Sequence, residues 1–438
     1  MTTMHTNDAT TVNERWTTLD DAANTVGTNV DELRRWAKRG LFRCRTDGLG
    51  RRTAKLSDVV SVRDAMANPK AKPPRFEVLS SPVNGYTTLE LFAGAGGTAL
   101  GLANAGFFHL MLNEFDADAC RTLRANRPQW NVVEEDVHDL SFEPYKGHVD
   151  LLQGGVPCQT FSYAGNRKGF GDPRGTLFFE FARAVGQSRP RFVVMENVKG
   201  LLTHDHGRTV ATMLSTLMDL GYDVSLRVLH AQFLDVAQKR ERLFILGRRS
   251  DLALPMYWPR QDGRPMTLWD AIGDCPESDG ASYPESKRRV LEQVPPGGCW
   301  RDLPVDEQRR YLGASYASSG GKTGMARRLS WSEPSLTLTC SPVQKQTERC
   351  HPEHTRPLTV REYARIQSFP DEWEFHGGLP SRYRQIGNAV PVNMAYHVGR
   401  AVAASLDGGG QDGFLQAHVL TPSDLDADTI RAVALSYE

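Results

Sequence analysis

Long apolar runs are missing from this 438-residue chain. Nowhere do about 18 consecutive apolar residues occur, and the first residues hold no basic stretch leading into such a run. Neither a membrane span nor a secretory leader is expected, so the protein is read as cytoplasmic, without a membrane partner. CxxC pairs are missing too. The seven cysteines (44, 120, 158, 275, 299, 340 and 350) are odd in number and scattered, a pattern that fits neither a disulfide framework nor a structural zinc site. Reduced thiols and no metal are expected. Net charge is also absent, with 52 Lys+Arg against 52 Asp+Glu, so the balance of the whole chain does not announce a polyanionic partner. There are no internal repeats, and nothing signals an oligomer; a monomer is the default.

What is present is ordinary in bulk and informative in order. Hydrophobic residues make up 40% and charged residues 24%, enough for two or three globular domains. Residues 1–75 carry 14 basic against 9 acidic side chains. Within them Thr18 can cap a helix through Val26, Gly27 supplies a turn, and Asn29 can cap a second helix, Val30 to Lys38. Gly40 to Arg52 has the glycines and arginines of a wing, and Leu56 to Met66 reads as a third helix. This arrangement resembles the helix-turn-helix of the MerR and excisionase type, which implies DNA contact through Arg34, Arg35, Lys38 and Arg51. Asn68 to Pro82, with four prolines and three basic residues, is a linker.

From Thr87 strands alternate with helices, the pattern of an α/β fold with a parallel sheet covered on both faces. Leu89 to Phe92, His109 to Leu112, Val132–Val133, Val149 to Leu152 and Phe192 to Met195 read as strands. Acidic residues recur at their ends: Glu114, Glu135, Asp136 and Glu196. Together with the glycine turn at 94–97 they suggest a nucleoside-type cofactor. Gly154 and Gly155 are expected to turn the chain after the fourth strand, with Pro157 stiffening the approach to Cys158. Ligands gather at the carboxyl ends of strands in such sheets, so Cys158 would face the cleft. Between Gly247 and about Thr355 the alternation gives way to a Pro-, Gly-, Ser-, Trp- and Arg-rich stretch that reads as an inserted domain. Helical patterning returns at Leu358 to Ile366 and Pro391 to Ser405, and GGGQDGF after Asp407 reads as a joint to a flexible tail.

Nine motifs now stand in a recognisable order: LFAGAGG (91–97), NEFD (113–116), EEDV (134–137), GGVPCQTFS (154–162), DPRGTLF (172–178), ENVKG (196–200), QKRERLFILG (238–247), RPLTVREYARIQSFPD (356–371) and RQIGNAVP (384–391). In these the chain resembles the DNA (cytosine-5) methyltransferases from Thr87 to about Ala404. The resemblance implies a Rossmann-like, S-adenosylmethionine-dependent methyltransferase sheet with an inserted target-recognition domain. It divides the chain into a helix-turn-helix module (1–75), a linker (76–86), a catalytic domain (87–247), a target-recognition domain (248–355), a return segment (356–405) and a flexible tail (406–438). Cys158 becomes the nucleophile that attacks C6 of a flipped-out cytosine, Glu196 the group that holds N3 and the exocyclic amine, and Arg240 and Arg242 the arginines that orient the base and the catalytic loop. Phe92, Gly94, Gly96, Glu114, Phe115, Asp136, Val137, Pro157, Leu177 and Asn388 are implied for the cofactor. Double-stranded DNA is the implied partner, and a cognate restriction endonuclease in the same system is suggested by the family alone. Nucleoid association would follow from DNA binding.

Other chemistries lack their signatures. The (Asp/Asn)-Pro-Pro-aromatic run of amine methylation is not found, nor is the HxE plus PCxxC set of zinc deaminases. The segment before Gln238 reads FLDVAQ where the family often has GVPQ, a departure at Asp235 and Ala237. Which bases are read does not follow from the sequence; Gly320 to Ser341, with Arg327 and Arg328, is the expected groove-contacting stretch because arginine forks suit guanine edges. An RNA cytosine methyltransferase and a DNA-binding regulator with a vestigial catalytic domain are the competing readings, and the complete Cys158, Glu196, Arg240 and Arg242 set weighs against the second.

Overall fold

The computed structural model describes residues 16–156, 177–317, 324–410 and 413–436. The chain begins with a small unit: β1 (Trp16–Thr18), α1 (Leu19–Val26), α2 (Val30–Lys38), β2 (Arg45–Thr46), β3 (Arg52–Lys55) and α3 (Leu56–Ala67). Its boundaries follow local chemistry. The Thr18 side chain accepts the Asp21 amide at the start of α1, Gly27 closes that helix at φ 71°, and Asn29 accepts the Glu32 amide at the start of α2. Leu19, Ala22, Leu33, Trp36, Phe42 and Val59 fill its own core. The unit is also fastened to the main body, since Gln232 donates to the Gly40 carbonyl at 2.7 Å and the Arg43 guanidinium lies 5.6 Å over the Phe233 ring.

The main body is built on β4 (Thr87–Leu91), α4 (Gly97–Asn104), β5 (Phe108–Glu114), α5 (Ala117–Asn126), β6 (Val132–Glu134), β7 (Leu151–Gly155), α6 (Leu177–Ser188), β8 (Phe192–Val198), α7 (Arg208–Asp219), β9 (Tyr222–His230), β10 (Gln238–Lys239) and β11 (Glu241–Arg249). Seven of these strands form one sheet in the order β6-β5-β4-β7-β8-β11-β9. The sheet is mixed, not parallel throughout as expected: β11 runs antiparallel to both β8 and β9. The physical reason is the short link between β9 and β11, which cannot supply the long crossover that a parallel pair requires.

Two strands run further than expected. Gly154 and Gly155 belong to β7 and do not form a turn; Gly154 pairs with Leu91 and Met195, and a Cβ there would come within 2.7 Å of the Phe181 ring. Glycine is needed for a helix to lie close on the strand, not for a bend. Likewise Glu196 and Asn197 lie inside β8, where Glu196 pairs with Phe244 of β11.

The segment after β11 contains β12 (Tyr257–Pro259), α8 (Leu268–Ile272), α9 (Glu285–Glu292), α10 (Val305–Leu312) and β13 (Ser335–Leu336), which pairs with β10. The chain returns through α11 (Val360–Ile366), α12 (Leu379–Asn388) and α13 (Val392–Leu406). The end of the chain departs from the expected flexible tail. β14 (Phe414–Gln416) pairs with β12, and α14 (Ala427–Leu435) buries Ile430 and Ala434 in the core beside β9. Leu420 donates its amide to Val224 at 2.8 Å. Apolar residues at helical spacing, capped by Asp426, give this stretch a surface to dock.

Candidate active site

A cleft of about 690 Å³ opens at the carboxyl ends of β4, β5, β6, β7 and β8. Its floor is set by the turn after β4. Phe92 sits at φ 59°, a left-handed conformation costly for a residue with a Cβ, followed by Gly94 at φ 55° and Gly96 at φ 88°. The turn is tied across to the end of β5, because one Glu114 oxygen accepts the Gly94 amide at 2.7 Å and the other accepts the amides of Phe115 and Asp116, each at 2.8 Å.

Phe92, Gly94, Glu114, Phe115, Asp136, Val137, Leu177 and Asn388 all line this cleft. Gly96 does not. It caps α4, and a Cβ there would strike Leu123 and Trp373, so it shapes the turn from behind. The Phe115 ring is 74% exposed at the cleft. Asp136 accepts both the amide and the ring nitrogen of His138, and these bonds hold its carboxyl below the usual aspartate range. An exposed aromatic face beside two anionic strand ends fits a nucleoside with a ribose and an amino-bearing ring.

On the other side of the cleft, Arg242 Nε lies 2.7 Å from Glu196 Oε1, with both side chains largely buried. Arg240, 1% exposed, donates to the carbonyls of Leu338 (3.3 Å) and Gly387 (3.1 Å). Burial, and then the charge of Arg242, bring its pKa down to about 9, so it stays cationic at neutral pH. Arg240 thus pins the return segment to the sheet while adding positive charge beside Glu196. Cys158 and Pro157 lie outside the described residues.

Asn197 and Arg384, both at the site, were not singled out by sequence. Asn197 donates to the Val156 carbonyl at 2.9 Å and so holds the end of β7. Arg384, also in the cleft, pairs with Asp116 at 2.9 Å. Asn388 accepts the Cys340 thiol at 2.9 Å. Asn197 and Arg384 stand inside the ENVKG and RQIGNAVP motifs, so position in a motif was their available signal.

The expected DNA-contact residues are divided. Arg34, Arg35, Lys38 and Arg51 are exposed, with Arg34 and Arg51 each 2.9 Å from an aspartate of their own segment. Arg327 is half-buried and donates to the Gly297 carbonyl at 3.1 Å. Arg328 is not available to a groove: it is 4% exposed and spends its guanidinium on Leu291, His351 and Thr355. A buried arginine that satisfies backbone carbonyls is part of the framework.

A mixed seven-stranded sheet with a glycine turn, acidic strand ends and a cleft above them defines an α/β methyltransferase fold. The family model described as C-5 cytosine-specific DNA methylase matches residues 86–404, and the chain belongs to that family. It is 53% identical over 400 residues to the Type II methyltransferase M.Eco47II of Escherichia coli, covering 89% of this chain and 95% of the relative. It is 50% identical over 329 residues to M.Sau96I of Staphylococcus aureus, covering 74% and 76%. Among solved structures, an E. coli prophage protein described as a candidate DNA modification methyltransferase superposes with TM-score 0.55 at 26% identity, over 74% of this chain and all of that one. Spodoptera frugiperda DNMT2 superposes with TM-score 0.55 at 18% identity, over 73% and 99%, a likeness of fold.

Proposed function

We propose that this chain is a site-specific modification methyltransferase of the Type II kind, acting on C5 of cytosine in double-stranded DNA. The observation that carries the reading is the buried Glu196–Arg242 pair, with Arg240 beside it, facing the cleft that the glycine turn and acidic strand ends enclose. S-adenosylmethionine, when bound, supplies the methyl group. Phe115 and Val137 would pack on its adenine, Asp136 would accept from the adenine amine, Glu114 would meet the ribose, and Gly94, Leu177 and Asn388 would complete the pocket.

The chemistry belongs to the chain's own residues. The target cytosine leaves the duplex at a cost of a few kcal/mol. The Cys158 thiolate adds to C6, forming an S–C6 bond while the C5–C6 double bond opens toward C5. Glu196 holds the exocyclic amine and shares a proton with N3, which takes up electron density as the thiolate adds, and Arg242 keeps Glu196 oriented. C5 takes the methyl group; loss of the C5 proton to a base then re-forms the double bond and expels the Cys158 thiolate.

Residues 248–355 are assigned to target recognition and the N-terminal unit to DNA docking or repression of its own promoter. A monomer is the default arrangement, and a cognate restriction endonuclease in the same system follows from the family reading alone. The test is transfer of labelled methyl to unmethylated duplex DNA and to tRNA, with Cys158→Ala beside the wild type and the modified cytosines mapped. Methylation of one short duplex motif, lost in the variant, supports the reading. Transfer to tRNA alone reassigns the substrate, and no transfer at all rejects the enzyme. Deleting residues 1–75 tests the N-terminal unit; unchanged methylation and unchanged promoter occupancy would remove both of its proposed roles.

A further inference from the structure

Positive charge is concentrated where the N-terminal unit meets the main body. Arg39, which ends α2, contacts the carboxylate of Glu333, and Lys239 of β10 reaches the other oxygen of that carboxylate at 2.8 Å. Arg327 is close enough to perturb Arg39, Lys239 and the buried Arg349 electrostatically. Arg349 spends its guanidinium on the carbonyls of Thr337 and Glu348. The nearby Glu348 is already taken by Lys287 and by the Tyr311 hydroxyl. Arg39 and Lys239 therefore share the single carboxylate of Glu333, with Arg327 near enough to act on both.

Such crowding is costly without a second anion. Lys239 is only 18% exposed at its side chain, and burial, together with Arg39 and Arg327, brings its pKa down to about 7. The chain as a whole is neutral, so the surplus is local and not a consequence of bulk composition. An exposed lysine patch would be solvated and uninformative; this cluster is held in place by backbone bonds and by strand pairing of Lys239 with Leu336.

We infer that Arg39, Lys239 and Arg327 form a seat for one DNA backbone phosphate, so that the N-terminal unit and the catalytic body grip the same duplex. The inference rests on the proposed DNA substrate and adds to it. Lys239 directly precedes Arg240, which lines the cleft, but Lys239 itself does not line it. The seat thus lies beside the cleft and takes a phosphate flanking the target, not that of the flipped nucleotide. Arg39 supplies a planar fork and Lys239 a point charge, both suited to phosphate oxygens.

The experiment measures the salt dependence of duplex binding by the full-length protein and its Arg39→Ala, Arg327→Ala and Glu333→Gln variants, with methyl transfer followed in parallel. A phosphate seat predicts that each arginine variant flattens the slope of log K against log salt by about 0.9. Glu333→Gln has the opposite effect: removal of the competing carboxylate tightens binding. If Glu333→Gln instead weakens binding as Arg39→Ala does, and both keep the wild-type slope, the contact is only a clamp between units and the inference falls. Unchanged slopes in all variants overturn it as well. Stabilisation of the wild type, but not of Arg39→Ala, by inorganic phosphate with unchanged DNA slopes would assign the seat to a free anion and overturn the DNA assignment. Wild-type methyl transfer separates the two levels: normal transfer with unchanged slopes rejects the seat alone, whereas absent transfer rejects the enzymatic reading.

Discussion

At the scale of single residues, the site depends on a few charges held out of water. Glu196 and Arg242 are each 13% exposed and 2.7 Å apart. Glu196→Gln keeps the shape but removes the carboxyl that can share a proton with N3 as electron density arrives there, so kcat is expected to fall roughly 10²- to 10³-fold. The KM for S-adenosylmethionine should move little, and steady-state kinetics with labelled methyl donor checks the split. A second residue-scale prediction concerns acid. His109 is buried in β5, one ring nitrogen near the Ala99 carbonyl and the ring 4.9 Å from Trp130, and burial lowers its pKa to about 4. Its unfolded value is near 6.5, so between those values the unfolded chain binds the extra proton. Stability from this residue is complete above pH 6.5 and is lost as pH falls toward 4. By pH 5 the loss is on the order of 2 kcal/mol. Denaturant midpoints at pH 7 and pH 5 should show it in the wild type and a smaller change in His109→Gln.

At the scale of elements, α4 lies against α13 with no room between them. A Cβ on Gly101 would sit 2.5 Å from the Ala395 Cβ and from the Val392 carbonyl, and one on Gly97 would sit 2.2 Å from the Val390 carbonyl. Gly101→Ala is therefore expected to cost roughly 1–3 kcal/mol or more by forcing the helices apart. Gly409→Ala, where nothing lies within 4 Å, should be near neutral. Thermal unfolding of the two variants makes the comparison. The same elements show what was legible. Cap residues Thr18 and Asn29 announced α1 and α2 to the residue, because capping is a local hydrogen bond. The turn at Gly154 and Gly155 was misplaced, since a glycine required by the Phe181 ring looks the same in sequence as a glycine required by a bend.

At the scale of the whole molecule, the segment 413–436 is structural. α14 and β14 cover β9 and β12, and the Arg227 guanidinium donates to the Ser436 carbonyl at 3.1 Å. Truncation before residue 413 would expose Ile430's pocket, Leu420's pairing with Val224 and the edge of β9. The expected loss is roughly 3–6 kcal/mol, from two buried aliphatic side chains, along with a freed strand edge that promotes aggregation. Soluble yield and Tm of the truncated chain report it. The weak patterning of the last residues concealed this role, because docking depends on a few apolar positions and on a sheet edge that is far away in sequence.

Sequence by itself determined the family, the order of the motifs, the α/β class and several of the cleft-lining residues, because each rests on short stretches whose chemistry is local: a glycine turn, acidic strand ends, an arginine pair two residues apart. Tertiary structure alone decided which face each residue serves. It reversed β11, set Gly96 behind the cleft and Arg328 in the framework, docked the tail, and brought Arg39 and Lys239 onto Glu333 from distant segments. Those outcomes depend on long-range packing and on burial of charge, and neither is written in the spacing of neighbouring residues.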